Sequence, residues 1–181
     1  MNHVVCSLLA LAFVPALSVA QTQSAAPSTS PVADALRQSL VRNSKNMIAA
    51  ADAMPPEKFA FKPTAPQNSY GHLITHIAES NFRFCSAVSG VAAPEQPKLT
   101  ETDSKDKLVA AVRSSFDFCS SALAKLDDSH LADSIELFPG RSFSRAAAIL
   151  ILSGSWFDHY TEQAMYLRLN NILPPTAQPQ K

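Results

Sequence analysis

The chain has 181 residues, and 15 Lys and Arg balance 15 Asp and Glu, so no net field draws it to nucleic acid or to an anionic membrane. Its 4 glycines are too few and too scattered to build a phosphate-cradling loop, which excludes the common nucleotide-binding motifs. The length suffices for one domain around one sizeable core.

In chain order, the first feature is an apolar stretch from Val4 to Ala20 that ends in Ser18-Val19-Ala20, small residues of the kind that precede signal cleavage. It is short for a membrane span, Pro15 interrupts it, and His3 is the only basic candidate ahead of it. Cys6 sits too early for a lipoprotein signal. Residues 1–20 are therefore expected to be an export signal. Residues 21–31, rich in Ser, Ala, Thr and Gln, are expected to be a flexible tether. The folded domain is expected over 32–175, with a disordered tail at 176–181. The implied location is periplasmic or secreted, with no membrane contact after signal cleavage and no nucleic-acid partner.

Apolar periodicity then predicts four helices. The first runs from Val32 to Ala53, carries Leu36, Leu40, Met47 and Ile48 on one side, and ends before Pro55-Pro56. The second opens at Ser69, a good N-cap, and carries Leu73, Ile77, Phe84 and Val88 up to Gly90. The third opens at Asp103 or Ser104, carries Leu108, Val112, Phe116 and Leu123, and extends to Leu126. Next come Ile135 to Phe138 and Pro139-Gly140, read as a short extended turn without a convincing sheet. The fourth helix opens near Ser142 and reaches Asn170, passing through 146–152, which is apolar all round and so expected to be central. The fold class expected is all-α, a four-helix bundle.

The link from Ser89 to Thr102 is Pro-rich and 14 residues long. Extended, it reaches about 45 Å, whereas a helix of about 21 residues spans only about 30 Å. It can therefore cross the whole bundle and let the second and third helices run parallel. Cys85 and Cys119 lie at matching depths in those two helices, so parallel packing brings them level. With Cys6 removed alongside the signal, an even pair remains in an oxidising compartment. A Cys85–Cys119 disulfide is expected, worth about 3–4 kcal/mol on the chain-entropy model. Two separate buried thiols are the alternative.

Three of the 5 histidines carry the chemical interest. His72 and His76 are four residues apart, which puts both imidazoles on one face of the second helix, and His159 lies on the fourth. Two imidazoles so spaced can grip one divalent metal, and a third from a facing helix would close three corners of a tetrahedron. Core or boundary imidazoles bonded to carboxylates are the other reading. Each helix also carries His-x-x-Glu, pairing His76 with Glu79 and His159 with Glu162. Those carboxylates can orient ligands, bind metal, or be surface charges. His130 is expected to face solvent, and Trp156, Phe82, Phe84, Phe116 and Phe118 to serve packing. No Gly-x-Ser-x-Gly is present, and Ser155 sits mid-helix, where no elbow exposes its oxygen.

The run Tyr166-Leu-Arg-Leu-Asn-Asn-Ile-Leu-Pro-Pro175, preceded by His159-Tyr160, resembles the end of the DinB-like (damage-inducible) four-helix proteins. The approach to the second helix fits as well, with Phe61-Lys62-Pro63, Ser69, Leu73 and His76-Ile77-Ala78. The resemblance covers most of the chain from Ala33 to Pro175. The resemblance implies an up-down-down-up bundle with a long crossover between helices two and three. It also implies a divalent metal held by one histidine on helix two and a His-x-x-x-His pair on helix four. His76 and His159 match two of those ligands. The third position is Ser155, a poor ligand for zinc or nickel, and His72 is the residue able to compensate. Some relatives are thiol-dependent transferases or isomerases, but low-molecular-weight thiols are chiefly cytosolic, which fits an exported chain poorly. The expectation is an exported metal-binding protein (zinc, nickel or iron) with metal-dependent hydrolase-type activity on a small molecule, Glu79 or Glu162 acting as base. The alternative is a non-catalytic bundle with a degenerate metal site that binds a small ligand or a protein. A homodimer through a helical face, as in some relatives, is compatible with either.

Overall fold

The structure is a computed structural model that describes residues 28–179. The expected export signal, and the tether as far as residue 27, lie outside the described residues. Four helices form the body: α1 (Pro31–Ala53), α2 (Tyr70–Ser89), α3 (Lys105–Leu123) and α4 (Arg145–Leu169). Between the last two stands a hairpin of β1 (Ser134–Phe138) and β2 (Arg141–Ser144).

Local chemistry explains the helix ends. Pro31 opens α1, where its missing N–H costs nothing. The Ser69 hydroxyl accepts the His72 N–H and caps α2, and Gly90, at φ 75, closes it in the left-handed conformation with its N–H on the Ser86 carbonyl. Ser104 and Ser144 cap α3 and α4 by accepting the N–H of Lys107 and of Ala147. Helix α3 stops at Leu123, one turn short of the expected Leu126. Helix α4 starts at Arg145 and not near Ser142, because Ser142 and Phe143 belong to β2.

The hairpin corrects the expectation that no sheet forms. Gly140 supplies the positive φ of the turn, and the Glu136 carboxylate accepts its N–H at 3.0 Å. Five-residue and four-residue strands are too short to display a convincing alternation. Their support comes from packing instead: Leu137 is buried, and Phe138 meets Phe84 of α2 at 5.4 Å and Phe143 at 6.0 Å, both edge-on.

Contacts between helices follow a consistent register. Along α2 and α3, Asn81 donates to the Ser115 hydroxyl at 3.0 Å, and one turn further on both helices Cys85 and Cys119 form a disulfide with Cα atoms 5.2 Å apart. The expected bond is therefore present. Between α1 and α4, Ser39 and Ser153 share a hydrogen bond of 2.9 Å, and Gln163 Nε2 donates to the Met47 carbonyl at 3.1 Å. Between α2 and α4 the order reverses: Tyr70 meets Tyr166, and Asn81 accepts from the Trp156 indole at 2.8 Å. Trp156, Tyr70, Met47, Ile74 and Leu152 are fully buried at the centre; of the apolar run 146–152, expected to be central throughout, Ala148, Ile149 and Leu152 are buried but Leu150 is exposed. Among the described residues no helix is long and apolar enough to cross a membrane. After α4 a 3-10 turn at Pro175–Ala177 lies beside Tyr160, whose hydroxyl accepts the Thr176 N–H at 3.0 Å.

Candidate functional site

The first turn of α2 is held by three anchors. Tyr166 of α4 donates its hydroxyl to the Asn68 carbonyl at 2.7 Å, and Tyr70 donates to the Ala50 carbonyl at 2.9 Å. The third is steric: a Cβ on Gly71 would stand 2.3 Å from the Glu101 carbonyl oxygen, so only glycine lets the crossover link lie this close. That approach delivers Glu101, whose carboxylate accepts the Ser69 hydroxyl at 2.7 Å. His72 Nδ1 stands 3.9 Å from the same carboxylate oxygen, a loose contact, with the side chain half exposed.

One turn further along α2, His76 faces His159 of α4. Their ring centroids are 4.9 Å apart and the planes stand at 87°, edge to face. His159 is mostly covered, and its Nδ1 lies 3.1 Å from Glu162 Oε2. An ionised carboxylate only accepts, so this bond places the His159 proton on Nδ1 and leaves the Nε2 lone pair free in the neutral ring. His76 Nε2 reaches the Ser80 hydroxyl only at 3.4 Å. Desolvation, followed by the positive charge that His159, His72 and Arg83 would carry, holds the His76 pKa below its ordinary 6.5, with Glu162 opposing weakly. His76 is thus kept neutral at neutral pH.

His72, His76, His159 and Glu162 line one cavity of about 470 Å³, together with Gln67 and Asn68 from the loop before α2 and Met165 from α4. A family model of the DinB superfamily matches residues 39–161.

The chain belongs to the DinB superfamily.

Two solved structures are similar to it. A DinB-like protein from Bacillus cereus ATCC 10987 is 14% identical, with a TM-score of 0.64 over 78% of this chain and 95% of that one. A DinB-like protein (YjoA) from Bacillus subtilis is 19% identical, with a TM-score of 0.64 over 80% of this chain and 99% of that one. Likeness at this identity concerns the fold. No curated protein matches the sequence.

The cavity lacks one donor of the ligand set expected from the resemblance. Ser155, at the position expected for a third ligand, is half-buried and does not line the cavity. Among the described residues no group of three or more His, Cys, Asp or Glu is arranged to hold a metal ion. What the side chains present at one point is two imidazoles, with a carboxylate behind one of them and a third imidazole turned toward Glu101. Of the expected residues, Glu79 is not brought to the histidines: it lines a separate groove on the α3 side with Phe82 and Arg83. His130 is exposed, and the aromatics expected to pack do so, Phe118 against Phe82 at 5.5 Å and Phe116 beside Trp156. Gln163, which the sequence leaves without a role, is fully buried.

Sequence reasoning missed Glu101, Gln67, Asn68 and Met165. Glu101 meets Ser69 across 32 residues of chain, and no local pattern announces such a contact.

Proposed function

We propose that this DinB-superfamily protein is exported and binds one divalent transition-metal ion, zinc, nickel or iron, between His76 and His159. The observation that carries this reading is the edge-to-face imidazole pair inside a cavity that a second α2 imidazole and Glu162 also line. Both rings suit ligation. The depressed pKa of His76 keeps it neutral, as a ligand must be, and Glu162 orients His159 through Nδ1. His72 lies on the same helix face one turn away, is half exposed, and would add a third nitrogen after rotation of its side chain. A bound ion with open positions would supply Lewis acidity and acidify water. For hydrolase-type chemistry, Glu162 is the carboxylate beside the pair, whereas Glu79 on its separate groove is out of place as a base.

Export is supported by the apolar Val4 to Ala20 stretch ending in small residues and by the disulfide, which persists in oxidising compartments. An up-down-down-up arrangement is supported by the register of contacts. These ascend together between α2 and α3 and between α1 and α4, and run in opposite senses between α2 and α4.

Titration calorimetry and elemental analysis of the mature chain, purified without a metal-binding tag, test the reading. One ion per chain is expected, lost in His76→Ala and in His159→Ala and weakened about tenfold or more in His72→Ala. Absence of binding, or binding indifferent to His76→Ala, would overturn it. The second reading, a non-catalytic bundle that takes a small organic ligand or a protein, is favoured by Ser155 at the third ligand position and would then stand.

A further inference from the structure

We propose that the groove between α2 and α3, under the crossover link, is a separate binding site for a single-chain amphipathic anion, a fatty carboxylate. The groove encloses about 620 Å³, within the range of roughly 300–1,000 Å³ typical of small-molecule pockets. It shares no lining residue with the histidine cavity, so it stands independently of the metal reading.

Much of its lining is apolar, with Phe82 of α2, Ala111 of α3 and Leu99 of the link. Its charged lining is mainly cationic: Arg83, Lys98 and Lys107, against one acid, Glu79. Lys107 is committed to Asp103 at 2.9 Å. Arg83 and Lys98 have no ion pair among the described residues, and Glu79 is not within ion-pairing distance of either. The Arg83 guanidinium lies 4.6 Å from the Phe84 ring centroid and 5.6 Å from that of Phe138, and among the described residues its N–H groups have no hydrogen-bond acceptor. A guanidinium with open donors can take a carboxylate bidentately, and the Lys98 ammonium of the same lining adds a second charge. Cations together with aliphatic and aromatic surface in one lining call for a negative head and an apolar tail in one molecule.

Calorimetry with dodecanoate below its micelle concentration, on the full mature chain, tests this. Saturable one-to-one binding is expected, with butyrate (same head, no tail) and dodecyltrimethylammonium (same tail, opposite charge) each at least about tenfold weaker. Lys98→Gln, in the exposed link, should weaken dodecanoate about tenfold, and Arg83→Lys several-fold because the fork is lost. Ala110→Trp, at an exposed lining position of α3, should block the groove while leaving helical circular dichroism intact. His76→Ala should leave the affinity unchanged. Failure of dodecanoate to saturate would overturn the proposal. So would equal binding of the cationic surfactant, indifference to both Lys98→Gln and Ala110→Trp, or loss of binding in His76→Ala.

Discussion

Helix α2 forms two seams that solve the problem of polar atoms differently. Toward α3 the buried line of the seam is shut beneath the outer groove: the Cys85–Cys119 bond closes it, and Asn81 donates to Ser115 while accepting from Trp156. Asn81 and Ser115 are buried, and each has its partner inside the protein. Toward α4 the seam is shut at Trp156 but opens toward the N-terminal end of α2. There His76 and His159 stand edge to face and line a cavity that reaches solvent. The closed seam uses its hydrogen-bonding capacity for stability, and the open one keeps lone pairs in reserve. The buried contacts toward α3 thus serve stability, and the opening toward α4 is where the proposed metal site lies.

The largest effect that would test this division lies in the closed seam. Replacing both Cys85 and Cys119 by Ala removes a cross-link spanning 34 residues and should lower stability by about 3–4 kcal/mol in urea unfolding, with metal affinity little changed. Loss of metal binding in a still-folded double variant would show that the two seams are coupled.

Next in size is Trp156→Phe. It leaves the buried Asn81 side-chain oxygen Oδ1 without its 2.8 Å donor, and should cost about 1–3 kcal/mol in the same measurement. A cost near zero would mean that water reaches this seam and that it is not closed.

A smaller effect comes from pH. The folded pKa of His76 lies below its unfolded value of about 6.5, so between the two the unfolded chain holds more protons. Stability contributed by the neutral ring is complete above about pH 6.5 and declines as pH falls toward the depressed folded value. Unfolding free energies across pH 5 to 7 should therefore slope less steeply in His76→Gln than in the parent. Equal slopes would remove His76 from the account.

The smallest effect is expected at His72. Its loose, half-exposed contact with Glu101 should be worth under about 0.5 kcal/mol, so His72→Ala should unfold like the parent while differing from it in metal titration. A clear destabilisation would make His72 part of the framework.

Much of the framework was legible because its signals are local. Ser69 and Gly90 bracket α2 where a capping hydroxyl and a left-handed glycine predict. The disulfide followed from equal depth in two helices joined by a link long enough to cross the bundle. The hairpin was not legible, since its short strands are held by Phe84 and Phe143 and not by their own pattern. Of the candidate site, His76, His159 and Glu162 were found by spacing. Glu79 has the same His-x-x-Glu spacing as Glu162 yet lines a different groove, because spacing within one helix does not fix which neighbouring helix a side chain meets.

Periodicity, caps and prolines, which act over one or two helical turns, are enough to specify four helices, and the motifs around 61–78 and 159–175 carry the resemblance to the family. Which helix faces meet is decided only by tertiary packing. The register between α2 and α4 sets whether two or three imidazoles share a point, and the Gly71–Glu101 approach turns His72 toward the link. Those outcomes depend on side chains far apart in the chain filling one core at near-crystalline density, which no local pattern encodes.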